Sequence, residues 1–509
     1  MPDSGTAYNA CVDLLDRNVE AGRADHPAVV TRDRTVTYAE LLSEVEATAA
    51  GLRRFGVGPE QRVAMVMLDS IEFYDVFLGA LRIGAVPTPV NPLLPARDLA
   101  VIVAASRARV LVVSAERAGQ LDAVLAAAPE VATVITTASP EWDELVADRS
   151  GAEPWSSWDE SPGFWLCTSG STGRPKLAMH RHIDLRVTAD TYGAQVLGVR
   201  SDDRCYSVGP MFHAYGLGNS LSFPFSVGAT AIVEPTRPPN PALVGGLVRD
   251  FEPTLFFGIP TFYAALCASD LPADSFGSVR WGVSAAEPLP ADTFHRFEER
   301  FGVRILDGIG STELTHIYIS NTPTALRPGT SGWPVPGYRV EVVDDDGRPV
   351  PAGTAGHLEV SGDSMAVGYW CDTAASHRSF RGDRMRSGDM YACSDDGYFT
   401  YLGRSDDMLR VGGEWVSPAE VEAVLVMDGA VLEAAVVGYR DDQGVERPAA
   451  FVVATPGRDV DVTGLEALCK AELAGFKRPR HYEVVTELPK TTTGKIQRFA
   501  LRDQLTAPT

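Results

Sequence analysis

Positive charge is scarce in this sequence: 45 Lys and Arg stand against 67 Asp and Glu, a formal net charge of −22 over 509 residues. So acidic a balance excludes the broad basic footprint of non-specific nucleic-acid or anionic-lipid binding, and neither nucleic acid nor a membrane is an expected partner. Cysteine is scarce too. The seven (Cys11, Cys167, Cys205, Cys267, Cys371, Cys393 and Cys469) are scattered and odd in number, with no CxxC pair. That excludes a disulfide framework or a zinc ribbon and fits free thiols in a reducing compartment. Long apolar runs are missing as well, since no stretch reaches the roughly 18 residues of a membrane span. The opening segment, MPDSGTAYNACVDLLDRN, has no apolar core of a signal peptide. These absences together predict a cytoplasmic protein.

What is present is an ordinary globular composition, 45% hydrophobic and 22% charged. The length is too great for a single core, so at least two domains are expected. Helical spacing of Phe73, Val76, Phe77, Ala80 and Leu81 predicts a helix over Ile71–Ile83 with a buried face. Short β-rich runs at Arg109–Val113 and Val131–Thr136 alternate with such segments, as in α/β layers with largely parallel sheets. Gly84–Pro92 reads as a rigid turn, because its prolines remove donors and fix the backbone. Between Pro323 and Gly362, glycines and prolines punctuate short alternating runs at Tyr338–Val343 and His357–Val360, suggesting a small antiparallel β unit. After Arg404 the pattern resets. Helix-like Pro418–Met427 and Val462–Leu473 alternate with strand-like Ala434–Tyr439, Ala449–Ala454 and His481–Glu487, a compact α+β domain with its boundary near Arg404–Asp407.

The most informative stretch is Thr168–Lys176, TSGSTGRPK, which follows the strand-like run Phe164–Cys167. Gly170 and Gly173 let the backbone come close to a ligand, and the hydroxyls of Thr168, Ser169, Ser171 and Thr172 can face anionic oxygens. Lys176 adds a point charge. The spacing is not GxxxxGK[ST], so this is not a Walker-type loop.

In chain order, TSGSTGRPK, GIGSTE at Gly308–Glu313, MRSGD at Met385–Asp389, GRSDDMLRVGGEWVSPAEVE at Gly403–Glu422 and PKTTTGKIQR at Pro489–Arg498 resemble the motifs of adenylate-forming enzymes. That superfamily holds acyl-CoA synthetases, peptide-synthetase adenylation domains and luciferases. Five collinear motifs are far more specific than any one, and the resemblance covers essentially the whole chain. HAYGLGN at His213–Asn219 and GIGSTELTHIYISN at Gly308–Asn321 are similar to benzoate-CoA ligases within it.

The resemblance implies a large α/β N-terminal domain (1–404), built of layered sheets plus a small β unit, and a small mobile α+β C-terminal domain (405–509). It also implies two half-reactions with ATP, Mg²⁺ and CoA: a carboxylate attacks the α-phosphate to give acyl-AMP, and a thiol then displaces AMP. The first step brings a carboxylate to a polyanion, so positioned donors and cations carry it. By the same resemblance the Thr168–Lys176 loop holds the β- and γ-phosphates, and Glu313, beside Thr312, ligates Mg²⁺, a hard cation suited to a carboxylate. Asp307 and Gly308–Gly310 lie at the nucleotide, with Ile309 where many relatives carry an aromatic residue. Asp389 accepts from the ribose hydroxyls and Arg404 reaches the ribose or phosphate. Lys495 bridges carboxylate and α-phosphate during adenylation. Asp406 is the hinge about which the C-terminal domain rotates for the second step, bringing in Gly412 and Gly413 to line the thiol tunnel.

His213 is the expected gate near the carboxylate and the thiol path. Ala214, Tyr215, Ala285, Gly310, His316 and Ile317 are the expected pocket walls, a flat apolar slot for an aryl ring with His316 capping its far end against a ring hydroxyl or amino group. Leu177-Ala178 after Lys176 and Arg410 depart from the common pattern without removing a group the chemistry needs. CoA is the expected acceptor, since no carrier domain follows in the sequence. A carrier-protein thiol is the alternative, and a non-catalytic nucleotide- or acyl-AMP-binding relative is a third reading. The expected assembly is a monomer or a homodimer.

Overall fold

A computed structural model describes residues 6–169, 175–412, 414–441, 444–489 and 496–506. The chain forms two compact units: Met1–Val340 with Val360–Met385, and Glu341–Glu359 with Arg386–Thr509. The junction between residues 404 and 405 falls inside the second, at the end of the strand Phe399–Arg404.

The first unit is built on three sheets. In the largest, six parallel strands run in the order Ile305–Gly310, Trp281–Ser284, Leu255–Gly258, Arg204–Ser207, Thr230–Ile232, Pro27–Val30, with antiparallel strands added at either edge. A second sheet is wholly parallel: Val86–Pro89, Arg62–Val66, Val110–Val113, Thr133–Thr136. The third is antiparallel, with Pro175–Arg181 between Gly368–Tyr369 and Pro162–Ser169. Local signals start these elements where the chemistry demands. Thr37 accepts from the Glu40 amide while Glu40 reaches back to Thr37, a reciprocal cap that begins the helix Tyr38–Arg54.

Two expectations change here. The helix predicted at Ile71–Ile83 forms as Ile71–Arg82, but it is buried almost all round rather than on one face. It sits in one apolar cluster with Val63 and Met65 of the parallel sheet, Val29 and Ala231 of the large sheet and Phe164 and Leu166 of the antiparallel one, so it has no solvent side. Its Arg82 is neutralised by Asp16 at 2.8 Å and Glu46 at 2.7 Å. Gly84–Pro92, expected as a turn, instead contains the strand Val86–Pro89. It is an edge strand, where proline costs no ladder hydrogen bond on the open side.

The second unit contains the antiparallel pair Arg384–Cys393 and Phe399–Arg404, whose residues from Arg386 onward lie in it. It also holds the sheet Val431–Arg440, Glu446–Ala454, His481–Val485. Both faces of that sheet are covered: Ala434 and Val436 pack with Val421, Leu465 and Cys469, while the alternate residues Ala435 and Val437 pack with Leu488 and Leu501. Leu501 belongs to Arg498–Thr506, a third helix beyond the two read from the sequence. Arg498 anchors it by donating to Glu422 and, at 3.1 Å, to the Val436 carbonyl.

Candidate active site

Thr168 and Lys176 are register partners across the antiparallel strands Pro162–Ser169 and Pro175–Arg181. The glycine-rich segment therefore connects two antiparallel strands, whereas a Walker loop connects a strand to a helix. Gly170, Ser171, Thr172 and Gly173 of that segment, Gly413 and Lys495 lie outside the described residues.

Glu313 sits in a short 3-10 turn, Thr312–Leu314, between the strands Ile305–Gly310 and Ile317–Ser320. Tyr369, on the strand that pairs with Pro175–Arg181, donates its hydroxyl to Glu313 Oε1 at 2.7 Å. Lys176 Nζ lies 4.9 Å from the centre of the Tyr369 ring. A carboxylate, a hydroxyl and an ammonium thus line up from two sheets. Glu313 Oε2 accepts no hydrogen bond among the described residues, and no group of three or more potential ligands clusters among them. This suits a divalent cation that arrives on a polyphosphate: Mg²⁺ keeps its waters and phosphate oxygens and takes one or two carboxylates from the protein. Tyr369 was not anticipated from the sequence, because it lies 56 positions from Glu313 and outside every motif.

Gly308 and Gly310 prove to be constrained from behind. A Cβ on Gly308 would stand 2.7 Å from the Ile319 carbonyl oxygen, and one on Gly310 2.5 Å from that of His316. The close approach of the neighbouring strand therefore demands glycine, apart from any ligand. Asp307, beside them, is buried, and burial pushes its carboxyl up to about 8 against the opposing hydrogen bond that the Leu289 amide donates to Oδ2 at 3.4 Å. Ile309 faces Ile319 in the ladder.

Around His316 the expected pocket residues converge. Gly310 is the register partner of Ile317, and Asp307 of Ser284, the last strand residue before Ala285. Tyr215 directs its hydroxyl to the carbonyls of Gly258 and Val283, both at 3.1 Å, and follows Ala214 on a short helix. The His316 ring lies 5.5 Å from those of Tyr192 and Tyr215 and 4.6 Å edge-on from Phe223. Its Nε2 faces two acceptors, the Tyr215 carbonyl at 3.2 Å and Asn219 Oδ1 at 3.1 Å, so Nε2 carries the hydrogen. Nδ1 is then a buried acceptor with no hydrogen-bond partner among the described residues. Burial lowers the imidazole to about 3, so it stays neutral in this tautomer. Asn219, which fixes it, is the last residue of the HAYGLGN motif, a signal that could have found it. His213 is exposed at the start of the helix Ala214–Leu217, its ring edge-on to Phe212 at 4.7 Å.

In the second unit Asp389 and Arg404 are register partners, and Arg404 donates to Asp389 Oδ1 at 2.7 Å. Gly388 has a φ of +80°, and a Cβ there would lie 2.7 Å from the Arg404 guanidinium. Asp406 is exposed in the turn after this strand, while neighbouring Asp407 faces Arg502 at 3.5 Å.

Among known proteins, the family model described as AMP-binding enzyme matches residues 15–370, and that of the AMP-binding enzyme C-terminal domain matches 420–495. The chain belongs to this family of adenylate-forming enzymes. It is 44% identical to the benzoate–CoA ligase of Thauera aromatica, over 97% of this chain and 96% of that one. A solved anthranilate CoA ligase, AuaEII in complex with anthranoyl-AMP, superposes with a TM-score of 0.91 at 38% identity, covering 99% of this chain and 98% of the other. A benzoate CoA ligase from Burkholderia xenovorans LB400 superposes at 0.88 and 40%, over 97% and 100%. No described helix is long and apolar enough to cross a membrane.

Proposed function

We propose that this chain is an AMP-forming aryl-CoA ligase, which activates a benzoate-like acid with ATP and passes the acyl group to CoA. The observation that carries the proposal is the Lys176–Tyr369–Glu313 row, where opposite charges stand ready for a polyphosphate and its cation.

In the first half-reaction a carboxylate oxygen attacks the α-phosphorus, the bond to the α–β bridging oxygen breaks, and pyrophosphate leaves. Lys176 and the hydroxyls of the 168–176 segment neutralise the departing phosphates. Glu313, oriented by Tyr369, would hold Mg²⁺, which when bound would supply charge neutralisation of the polyphosphate. Asp389 takes the ribose hydroxyls, Arg404 aligns it, and Lys495 joins the carboxylate to the α-phosphate. In the second half-reaction the thiol sulfur attacks the acyl carbon, the acyl–phosphate C–O bond breaks, and AMP leaves while the thiol proton passes to solvent. Residues 405–509 turn about Asp406 between the two steps, and His213 stands at the mouth used by both reactants.

The acid class follows from the wall. Tyr215, Ile317, Ala214 and Ala285 are apolar and flat, and His316 Nδ1 is an acceptor for an amino or hydroxyl hydrogen on the ring. The protein acts in the cytoplasm, as a monomer or homodimer.

Purified protein with ATP, Mg²⁺ and a panel of aryl and alkyl acids should release pyrophosphate only with aryl acids, and thioester should appear when CoA is added. Pyrophosphate release indifferent to the acid would defeat the proposal, and product formed only on a carrier protein would move the acceptor from CoA to that protein. Lys495→Ala should lower acyl-AMP formation by about 10²–10³-fold, the usual loss of a transition-state contact. A normal rate in that variant removes Lys495 from the chemistry.

A further inference from the structure

The turn that carries Glu313 is strained. Thr315, a β-branched residue, holds φ at +65° and ψ at −34°, outside the regions such residues tolerate. A conformation of this kind persists only where its surroundings over-determine it. Every residue of the turn is pinned by a hydrogen bond. His180 Nε2 meets the Thr312 carbonyl at 2.8 Å, the Ala366 amide donates to the Glu313 carbonyl at 2.8 Å, and Ser364 Oγ donates to that of Leu314 at 2.8 Å. Thr315 Oγ1 lies 3.1 Å from His180 Nδ1 and donates to the Ser364 carbonyl at 3.2 Å. A single imidazole therefore touches both ends of the turn.

His180 is itself held from three sides. Its Nδ1 is 3.1 Å from Asp184 Oδ2, and both side chains are fully buried. Arg181 fixes that carboxylate through its backbone amide at 3.0 Å and its Nε at 3.1 Å. The Phe164 ring stacks on the imidazole, 4.9 Å between centres and 12° apart in plane. His180 is also on the same strand as Lys176, four residues on, and so on the same face of that strand. One strand thus sets the phosphate-facing ammonium directly and the cation-facing carboxylate through the histidine.

We infer that His180, oriented by Asp184, is the positioning residue for Glu313: it locks the strained Thr312–Thr315 turn so that the carboxylate is presented to the nucleotide's divalent cation. This role rests on the proposed function of Glu313. A packed core histidine with no such role would affect folding or nucleotide binding in general, and the two can be separated by the part of ATP binding that depends on magnesium.

The test is calorimetric titration of ATP into the full chain, in excess Mg²⁺ and again in EDTA. Wild type should bind ATP more tightly with magnesium, and Glu313→Gln should lose that gain. His180→Phe keeps the stack on Phe164 but no donor. It should weaken the magnesium-dependent gain by about tenfold, the typical cost of losing a partner behind a metal ligand, with affinity in EDTA within about threefold of wild type. His180→Gln, which restores a donor toward the Thr312 carbonyl, should recover part of the gain. It also serves as the measured variant if His180→Phe does not fold. A wild-type gain in a folded His180→Phe, or equal losses with and without magnesium in whichever variant is measured, overturns the role. A gain absent from wild type, or kept in Glu313→Gln, overturns the reading of Glu313 first and this role with it.

Discussion

The wall around His316 and the hairpin that carries Asp389 and Arg404 hold polar side chains in opposite ways. His316 is buried, neutral and fixed by residues 101 and 97 positions away, so its orientation depends on strands and helices arriving together. Asp389 and Arg404 are only 15 positions apart on adjacent strands, and Arg404 is largely exposed. The first arrangement gives a rigid, buried surface. The second is assembled by local pairing and leaves its flanking turn, with Asp406, free of burial. A hinge needs that freedom, because a packed residue cannot absorb a large dihedral change cheaply.

The contrast can be broken from either side. The largest effect is expected at the exposed turn. Asp406→Pro locks φ there and restricts Ser405, so transfer to CoA should fall by about 10²-fold while single-turnover acyl-AMP formation changes little. Equal losses in both half-reactions remove the hinge from Asp406. At the buried wall, Gly218→Ala adds a Cβ that would stand 2.4 Å from His316 Cδ2. The ring is boxed in by Tyr192, Tyr215 and Phe223, so it must tilt out of place. The KM for the aryl acid should rise about tenfold, and that for ATP should stay level. An unchanged acid KM means that His316 does not set the pocket.

The third effect, on stability and not on rate, sharpens the contrast through pH. Asp307 ordinarily titrates near 3.8 but in the folded chain is raised to about 8 by burial. Between those values the unfolded chain has lost a proton that the folded chain keeps, so stability falls as pH rises through this window, by at most about 1.4 kcal/mol per pH unit. Asp307→Asn has no proton to lose. The difference in Tm between wild type and this variant should therefore shift against wild type from pH 5 to pH 8. A pH-independent difference contradicts a protonated Asp307.

Much of this was legible in the sequence because it is local. The motif order gave the family. Alternation of Ala434 to Val437 marked a strand, and helical spacing from Phe73 to Leu81 marked a helix. What stayed hidden was whatever depends on neighbours. The edge position of Val86–Pro89 tolerates prolines that read as a turn, and burial on all sides of Ile71–Arg82 exceeds what its periodicity declares.

The sequence by itself determined the class of chemistry, since five motifs in a fixed order resemble those of adenylate-forming enzymes, the family to which the chain belongs. Only the tertiary structure decided how the site's groups are held: Tyr369 on Glu313, His180 under the same turn 132 positions away, and Asn219 setting the tautomer of His316. The physical reason is that a hydrogen bond between buried side chains is set by where two strands meet, and no one-dimensional pattern records that meeting.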